Sequence, residues 1–305
     1  MICHVLRYTP FFRTIKSIID SGSIGEIASI QALENVRCRH QAHSFVRGSW
    51  RQEGQTSPMI LAKCCHDLDY LVWLTGRRCQ RVSSFGSLMY FRKENAPQGA
   101  GQRCLGPCKA KADCPYDAEK IYLTNDCTGV LKGNTGWPCN VLSPSPTEAS
   151  IREALATGPY GRCVFACDND VVDHQVVNLQ MEGGASLSLT MSAFTSSGGR
   201  TLKVMGTLGD IWADMDQCII KATRFGEKTQ VIDVRTLSDD LSGHGGGDLG
   251  LVTSFLQLLE TGSAGADVTT LETSIESHLI ALGAEASRLN NGMPVELSSL
   301  RSWSK

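Results

Sequence analysis

Residues 176–191 read VVNLQMEGGASLSLTM: an alternating run over Val176–Met181, the turn Glu182-Gly183-Gly184, and a second run over Ala185–Met191. Short alternating runs joined through glycine predict an antiparallel pairing. The same rhythm continues through Leu202–Met205, Ile211–Ala213, Cys218–Ala222 and Val231–Val234, so a sheet meander occupies about Val171 to Val234. Two helices follow, Leu249–Leu259 and Thr269–Leu289, the second stopping at Asn290-Asn291-Gly292. Upstream, Ile2–Leu6 reads as a short strand. Thr9-Pro10 opens a helix to about Asp20, with Thr as the cap and Pro in the first turn. Glu26–Asn35 alternates like a strand, Ser57-Pro58 opens a helix to Leu74 that stops at Gly76, and Val82–Phe91 is a further strand. Residues 92–147 break the pattern as an insertion, with five cysteines and the turn-rich Ser143-Pro144-Ser145-Pro146. The predicted fold is α+β: an open, largely antiparallel sheet with helices on one face.

Composition narrows the function classes. With 305 residues, 42% of them hydrophobic, the chain is long enough for a sizeable core. A net charge of −2 lacks the basic footprint of a nucleic-acid binder, so no nucleic-acid partner is expected. No apolar run approaches the ~18 residues of a membrane span, and Met1–Thr14 lacks a secretory apolar region. A cytoplasmic protein without membrane attachment is the expectation. The thirteen cysteines are odd in number and come without a secretory signal, so reduced thiols are the default.

Gly245-Gly246-Gly247-Asp248-Leu249-Gly250 satisfies a dinucleotide-binding glycine pattern and precedes a helix. It does not follow a strand directly, and only 55 residues remain after Gly250, too few for a doubly wound sheet. The reading is a turn with a tight helix start, with Asp248 as helix cap.

The helix around Lys63-Cys64-Cys65-His66-Asp67-Leu68-Asp69 carries the chemistry. Lys63, His66 and Asp69 share one face by i, i+3 spacing. An imidazole titrating near neutrality, a carboxylate and an ammonium are what general acid–base work on a hydroxyl requires, although a solvated helix face shows the same spacing.

These stretches resemble the Gfo/Idh/MocA oxidoreductases, relatives of glucose–fructose oxidoreductase and inositol 2-dehydrogenase. The resemblance rests on His4-Val5-Leu6-Arg7-Tyr8 with Gly22-Ser23-Ile24-Gly25, on Ala42–Gly48 with Trp50-Arg51, on Cys65–Asp69, and on Asp168–His174. It implies an enzyme acting on a sugar or polyol hydroxyl or carbonyl with NAD or NADP. His66 matches the family's catalytic histidine and Asp69 the aspartate of its His-x-x-Asp. Arg7, His43, Arg47 and His174 match candidate substrate-binding positions. Ala62 stands where the family commonly has an aspartate, with Lys63 beside it. The resemblance further implies that residues 1–25 are the last strand and helix of a nucleotide-binding domain, and 26–305 a substrate and oligomerisation domain. The chain is then expected to be truncated, to lack its own cofactor-binding residues, and to form a homo-oligomer through the other sheet face. The alternative is a non-enzymatic sugar-binding or dimerisation remnant.

Cys104, Cys108 and Cys114, with Cys163 or Cys167 as a fourth ligand, have a spacing compatible with a structural zinc site. Free or buried thiols and disulfides are the competing readings. Cys38, Cys64, Cys65, Cys79 and Cys218 are read as core filler.

Overall fold

The computed structural model describes residues 1–263, 265 and 268–301. Helix α1, Pro10–Asp20, starts as its sequence dictates: the Thr9 hydroxyl accepts from the Phe12 N–H at 3.1 Å, and Pro10 fills the first position where no donor is needed. It buries Phe11, Phe12 and Ile15. Strand β1 spans Ile27–Asn35, helix α2 Met59–Thr75, and strand β2 Cys79–Ser87. Gly76 ends α2 at φ +61°, a left-handed cap that costs glycine little. After residues 88–173, which include helix α3 at Glu148–Thr157, come β3 His174–Met181, β4 Ser186–Ser192 and β5 Gly199–Gly206. Strands β6 Gly209–Asp214, β7 Ile219–Arg224 and β8 Gln230–Asp233 complete the meander. Helices α4 Ser242–Thr261 and α5 Leu271–Leu289 follow, then the two-residue strand β9, Val295–Glu296.

The nine strands of the described residues form one open sheet in the order β8-β7-β6-β5-β1-β4-β3-β2-β9. Every pairing is antiparallel except β1 with β4. In β4, Leu187, Leu189 and Met191 point into the core, while Ser186, Ser188, Thr190 and Ser192 point away. The core joins these residues to Ile60, Leu68 and Leu71 of α2 and Ile280 and Ala284 of α5. The α+β class read from the sequence is the one observed.

Three local expectations are corrected. Ile2–Leu6 is not a strand: Val5–Tyr8 coils into a buried 3-10 turn lying under α4. The glycines of α4 make that approach feasible. A Cβ on Gly247 would stand 2.8 Å from the Val5 carbonyl oxygen, and one on Gly250 only 2.5 Å from that of Tyr8. The glycine cluster thus serves helix packing. Second, Asp248 is hydrogen-bonded to His244 Nδ1 at 2.8 Å and does not cap the helix. Third, the insertion runs from 88 to 173, longer than the composition suggested. Asp173, fully buried, accepts from the N–H groups of Met89 and Tyr90, which turns the chain out of the sheet at Ser87 and not at Phe91. Residues 88–173 gather a second apolar cluster of their own, around Phe91, Ile121, Tyr122, Ile151, Leu155 and Phe165.

Candidate active site

Strand register brings chemistry to one end of the sheet. Ser87, His174, Ser192, Asn35 and Gly199 form one row across β2, β3, β4, β1 and β5. One residue back, Glu34 of β1 lies directly opposite Arg200 of β5. Helix α2 crosses above this pair and presents Lys63, His66 and Asp67 to it.

The charges interlock. Lys63 Nζ stands 3.0 Å from Glu34, and Arg200 Nη2 3.0 Å from the other Glu34 oxygen. The Arg200 guanidinium also donates twice to Asp67, at 2.8 and 3.0 Å. Glu34 and Asp67 are buried, so these carboxylates hold two cations in place. Burial pushes the Glu34 carboxyl up against the opposing pull of Arg200. Burial would lower the Arg200 pKa, but Asp67 and Glu34 outweigh it and keep the guanidinium firmly charged.

His66 lies among these groups without sharing their bonds. Its Nδ1 is buried and has no hydrogen-bond partner. Burial, with Arg200 second, brings its pKa down to about 4, so the imidazole is neutral at pH 7. The His4 ring meets it edge-on at 5.5 Å, and His4 Nδ1 is also buried and unpartnered. His4 Nδ1 or Nε2, Cys65 Sγ and a ring nitrogen of His66 lie within 4.8 Å of one another.

Two open cavities adjoin the network and share Gly199, Arg200 and Asp216 as a common wall. One, of about 290 Å³, is lined by Glu34, Arg37, His40, Lys63 and Trp137; the other, of about 310 Å³, by Phe11, Met215, Leu241 and His244. His66 is set back from both walls, one helical turn from Lys63. A third, shallow concavity of about 440 Å³ lies on the other sheet face, over Gln31, Leu33, Thr190, Lys203 and Trp212, away from these groups.

The residues named from the sequence are distributed unevenly. Lys63 and His66 lie one helical turn apart on α2. Asp69 does not orient His66: both its oxygens are taken by Arg7, at 2.5 and 2.7 Å, in a buried pair beneath the helix. That pairing also removes Arg7 from the cavity. His43 is buried in the insertion, hydrogen-bonded to Tyr122 at 2.8 Å and stacked on Tyr160, and burial brings its pKa down to about 4. Arg47 is fully enclosed beneath the cysteine loop. His174 lies in the same row as Asn35, half-exposed and held by Asp173 at 2.9 Å. Sequence reasoning missed Glu34, Asp67, Arg200 and His40. Glu34 does carry a signal, because it breaks the apolar alternation of β1 on the buried side. All thirteen cysteines are free thiols. Cys64 and Cys79 are fully buried as core filler, and Cys38, Cys65 and Cys218 are partly buried.

Comparison with known proteins agrees with the fold. The family described as "Oxidoreductase family, C-terminal alpha/beta domain" matches residues 16–297. "Putative oxidoreductase YteT" of Bacillus subtilis (strain 168) is 26% identical over 260 residues, which is 79% of this chain and 56% of that protein. An oxidoreductase from Agrobacterium radiobacter, solved in complex with NAD+, L-tartaric acid and magnesium, superposes with a TM-score of 0.59 at 12% identity, covering 98% of this chain and 65% of that one. A super-repressor mutant of Gal80p from Saccharomyces cerevisiae does so with 0.58 at 12% identity, over 98% and 65%. At such identities the solved structures share the fold. The chain spans less than two thirds of the length of each of these three relatives.

Proposed function

This chain belongs to the Gfo/Idh/MocA oxidoreductases by their C-terminal α/β domain, and from that premise we propose that it serves an NAD- or NADP-dependent enzyme acting on a sugar or polyol carbinol. The supporting observation is His66, a neutral imidazole with a buried nitrogen unpartnered among the described residues, one helical turn from Lys63 on the cavity wall. A neutral imidazole takes the hydroxyl proton when the carbinol is oxidised and returns it when the carbonyl is reduced. Lys63 and Arg200 present positive charge where an alkoxide develops, and Glu34 fixes both. Substrate hydroxyls find donors and acceptors in Arg37, His40 and Glu34 on the same wall.

Nicotinamide supplies or accepts the hydride in enzymes of this kind. Among the described residues Gly247 and Gly250 of the glycine turn pack against Val5–Tyr8, which argues against a pyrophosphate there, and no step is drawn through the cofactor. Dependence on a nucleotide-binding domain is therefore part of the proposal, as are a second copy of the chain on the Gln31–Trp212 sheet face and a cytoplasmic setting that keeps the thiols reduced.

One observation favours the alternative of a sugar-binding or dimerisation module without catalysis: Lys63 and Asp69 are both already neutralised by ion pairs. Calorimetric titration of the chain with a panel of sugars and polyols, and with NADH and NADPH, separates the readings. Saturable sugar or polyol binding, weakened by about tenfold in Lys63→Ala, is expected, with no NADH or NADPH binding up to millimolar. Absence of sugar and polyol binding would overturn the substrate assignment. Micromolar NADH binding would overturn the proposed cofactor dependence. In an assay complemented with a nucleotide-binding domain, His66→Asn should keep binding but lose about 10²–10⁴ in turnover; unchanged turnover would remove His66 from the chemistry, and sugar binding with no turnover by the complemented wild-type chain would select the alternative.

A further inference from the structure

One fully buried cation has surroundings that the proposed reaction does not explain. Arg47 donates to the carbonyls of Arg162 and Tyr116, both at 2.7 Å, and to Sγ of Cys104 at 3.5 Å, and its Nη1 finds no partner. All three partners are neutral. A buried guanidinium whose hydrogen bonds all go to uncharged groups is stabilised when further negative charge joins its site. Asp117 is the one carboxylate on the wall of the same small cavity, against the three cations Arg47, Arg103 and Lys111.

The rest of that cavity, of about 20 Å³, consists largely of sulfur. Cys104, Cys108, Cys114 and Cys163 all line it, with Arg103 and Lys111 adding positive charge at its edge. The convergence has a backbone cause. Arg103 and Arg162 form an isolated antiparallel bridge, flanked by Cys104 N–H donating to the Gly161 carbonyl and Cys163 N–H to that of Gln102, each at 2.9 Å. This brings two distant chain segments side by side with one thiol on each. Cys108 and Cys114 arrive from the turn-rich loop between. Cys167 is not on the wall; its Sγ donates to the Cys163 carbonyl at 3.2 Å.

We propose that Cys104, Cys108, Cys114 and Cys163 bind a structural zinc ion, with the Arg47 guanidinium as its buried counter-charge. On binding, the four thiols release four protons, and one Zn²⁺ with four thiolates carries a net charge of −2. This places negative charge beside Arg47, and the N–H directed at Cys104 becomes a charge-assisted bond to a ligand. Four soft sulfur donors without a carboxylate or open position suit tetrahedral zinc. Among the described residues no three of these sulfurs lie mutually within 4.8 Å, so the ion draws the Cys104–Cys114 loop inward.

The test is metal analysis by mass spectrometry on the full chain purified without added zinc, combined with alkylation of the native protein. About one zinc per chain is expected, with Cys104 and Cys108 protected until a chelator is added. Cys108→Ser and Cys114→Ser should each lose most of the zinc, while Cys127→Ser, whose thiol is exposed and off the wall, should keep it. Less than about 0.1 equivalent in the wild-type chain, with Cys104 and Cys108 freely alkylated, would overturn the proposal. Stoichiometric iron with acid-labile sulfide in place of zinc would overturn it equally. Because the wild-type measurement needs no variant, misfolding of a serine mutant leaves the test intact.

Discussion

In the sheet and its helices, a periodic set of apolar side chains leaves water: every second residue in β4, and Ile60, Cys64, Leu68, Leu71 and Leu74 along one stripe of α2. In residues 88–173 burial follows no period. There Tyr122, Ile151 and Phe165 come together through turns, short helices and side chains bonded to backbone, such as Thr128 to the Ile121 carbonyl and Arg103 to those of Leu155 and Gly158. The difference shows where each region is vulnerable. A layer packed by period unfolds as a unit when a central contact fails, whereas a segment held by punctuation can open locally.

The largest expected effect lies in the first region. Arg7→Ala leaves Asp69 buried without its cation, which should cost about 3–5 kcal/mol in denaturant unfolding, with a single transition. A loss below about 1 kcal/mol would mean that the pair does not secure the Val5–Tyr8 turn to α2. Ile151→Ala probes the second region. Removing this fully buried side chain should cost about 2–5 kcal/mol. Hydrogen exchange should show that loss within 88–173 while β3 and β4 amides keep their protection. Equal loss in both would erase the distinction between the regions.

A gentler perturbation is acid. Burial lowers the pKa of His40 to about 3 and of His43 and His66 to about 4. Between pH 6.5 and 4 the unfolded chain takes up protons that the folded chain refuses, so stability falls as pH falls through that window. His40 and His43 both meet Trp137 at 5.1 Å, so Trp137 fluorescence should report the insertion loosening first. A midpoint flat from pH 6.5 to 4 would contradict the buried, neutral state of these rings.

Legibility in the sequence followed the same division. The hairpin at 176–191, the Thr9-Pro10 helix start and the Gly76 stop could all be read because each depends on local spacing or a single backbone preference. Ile2–Leu6 misled because a short apolar run suits a strand or a buried turn, and only the glycine-lined surface of α4 decides between them. Lys63 and His66 were legible from helical spacing. Their partners were not: Glu34, Asp67 and Arg200 meet through strand register and helix crossing, and Asp69 faces Arg7 from 62 residues away in sequence. Cys104, Cys108, Cys114 and Cys163 could be named as a candidate group from spacing, but that all four line one cavity depends on the bridge between Arg103 and Arg162.

The most direct measurement of the central claim is a histidine-ring NMR titration of the chain, against pH and then against a saturating sugar or polyol ligand. The account predicts that the His66 ring titrates near pH 4, is neutral at pH 7, and shifts saturably with ligand while His278 does not. A His66 ring that titrates near 6.5 and ignores every sugar and polyol offered would contradict it.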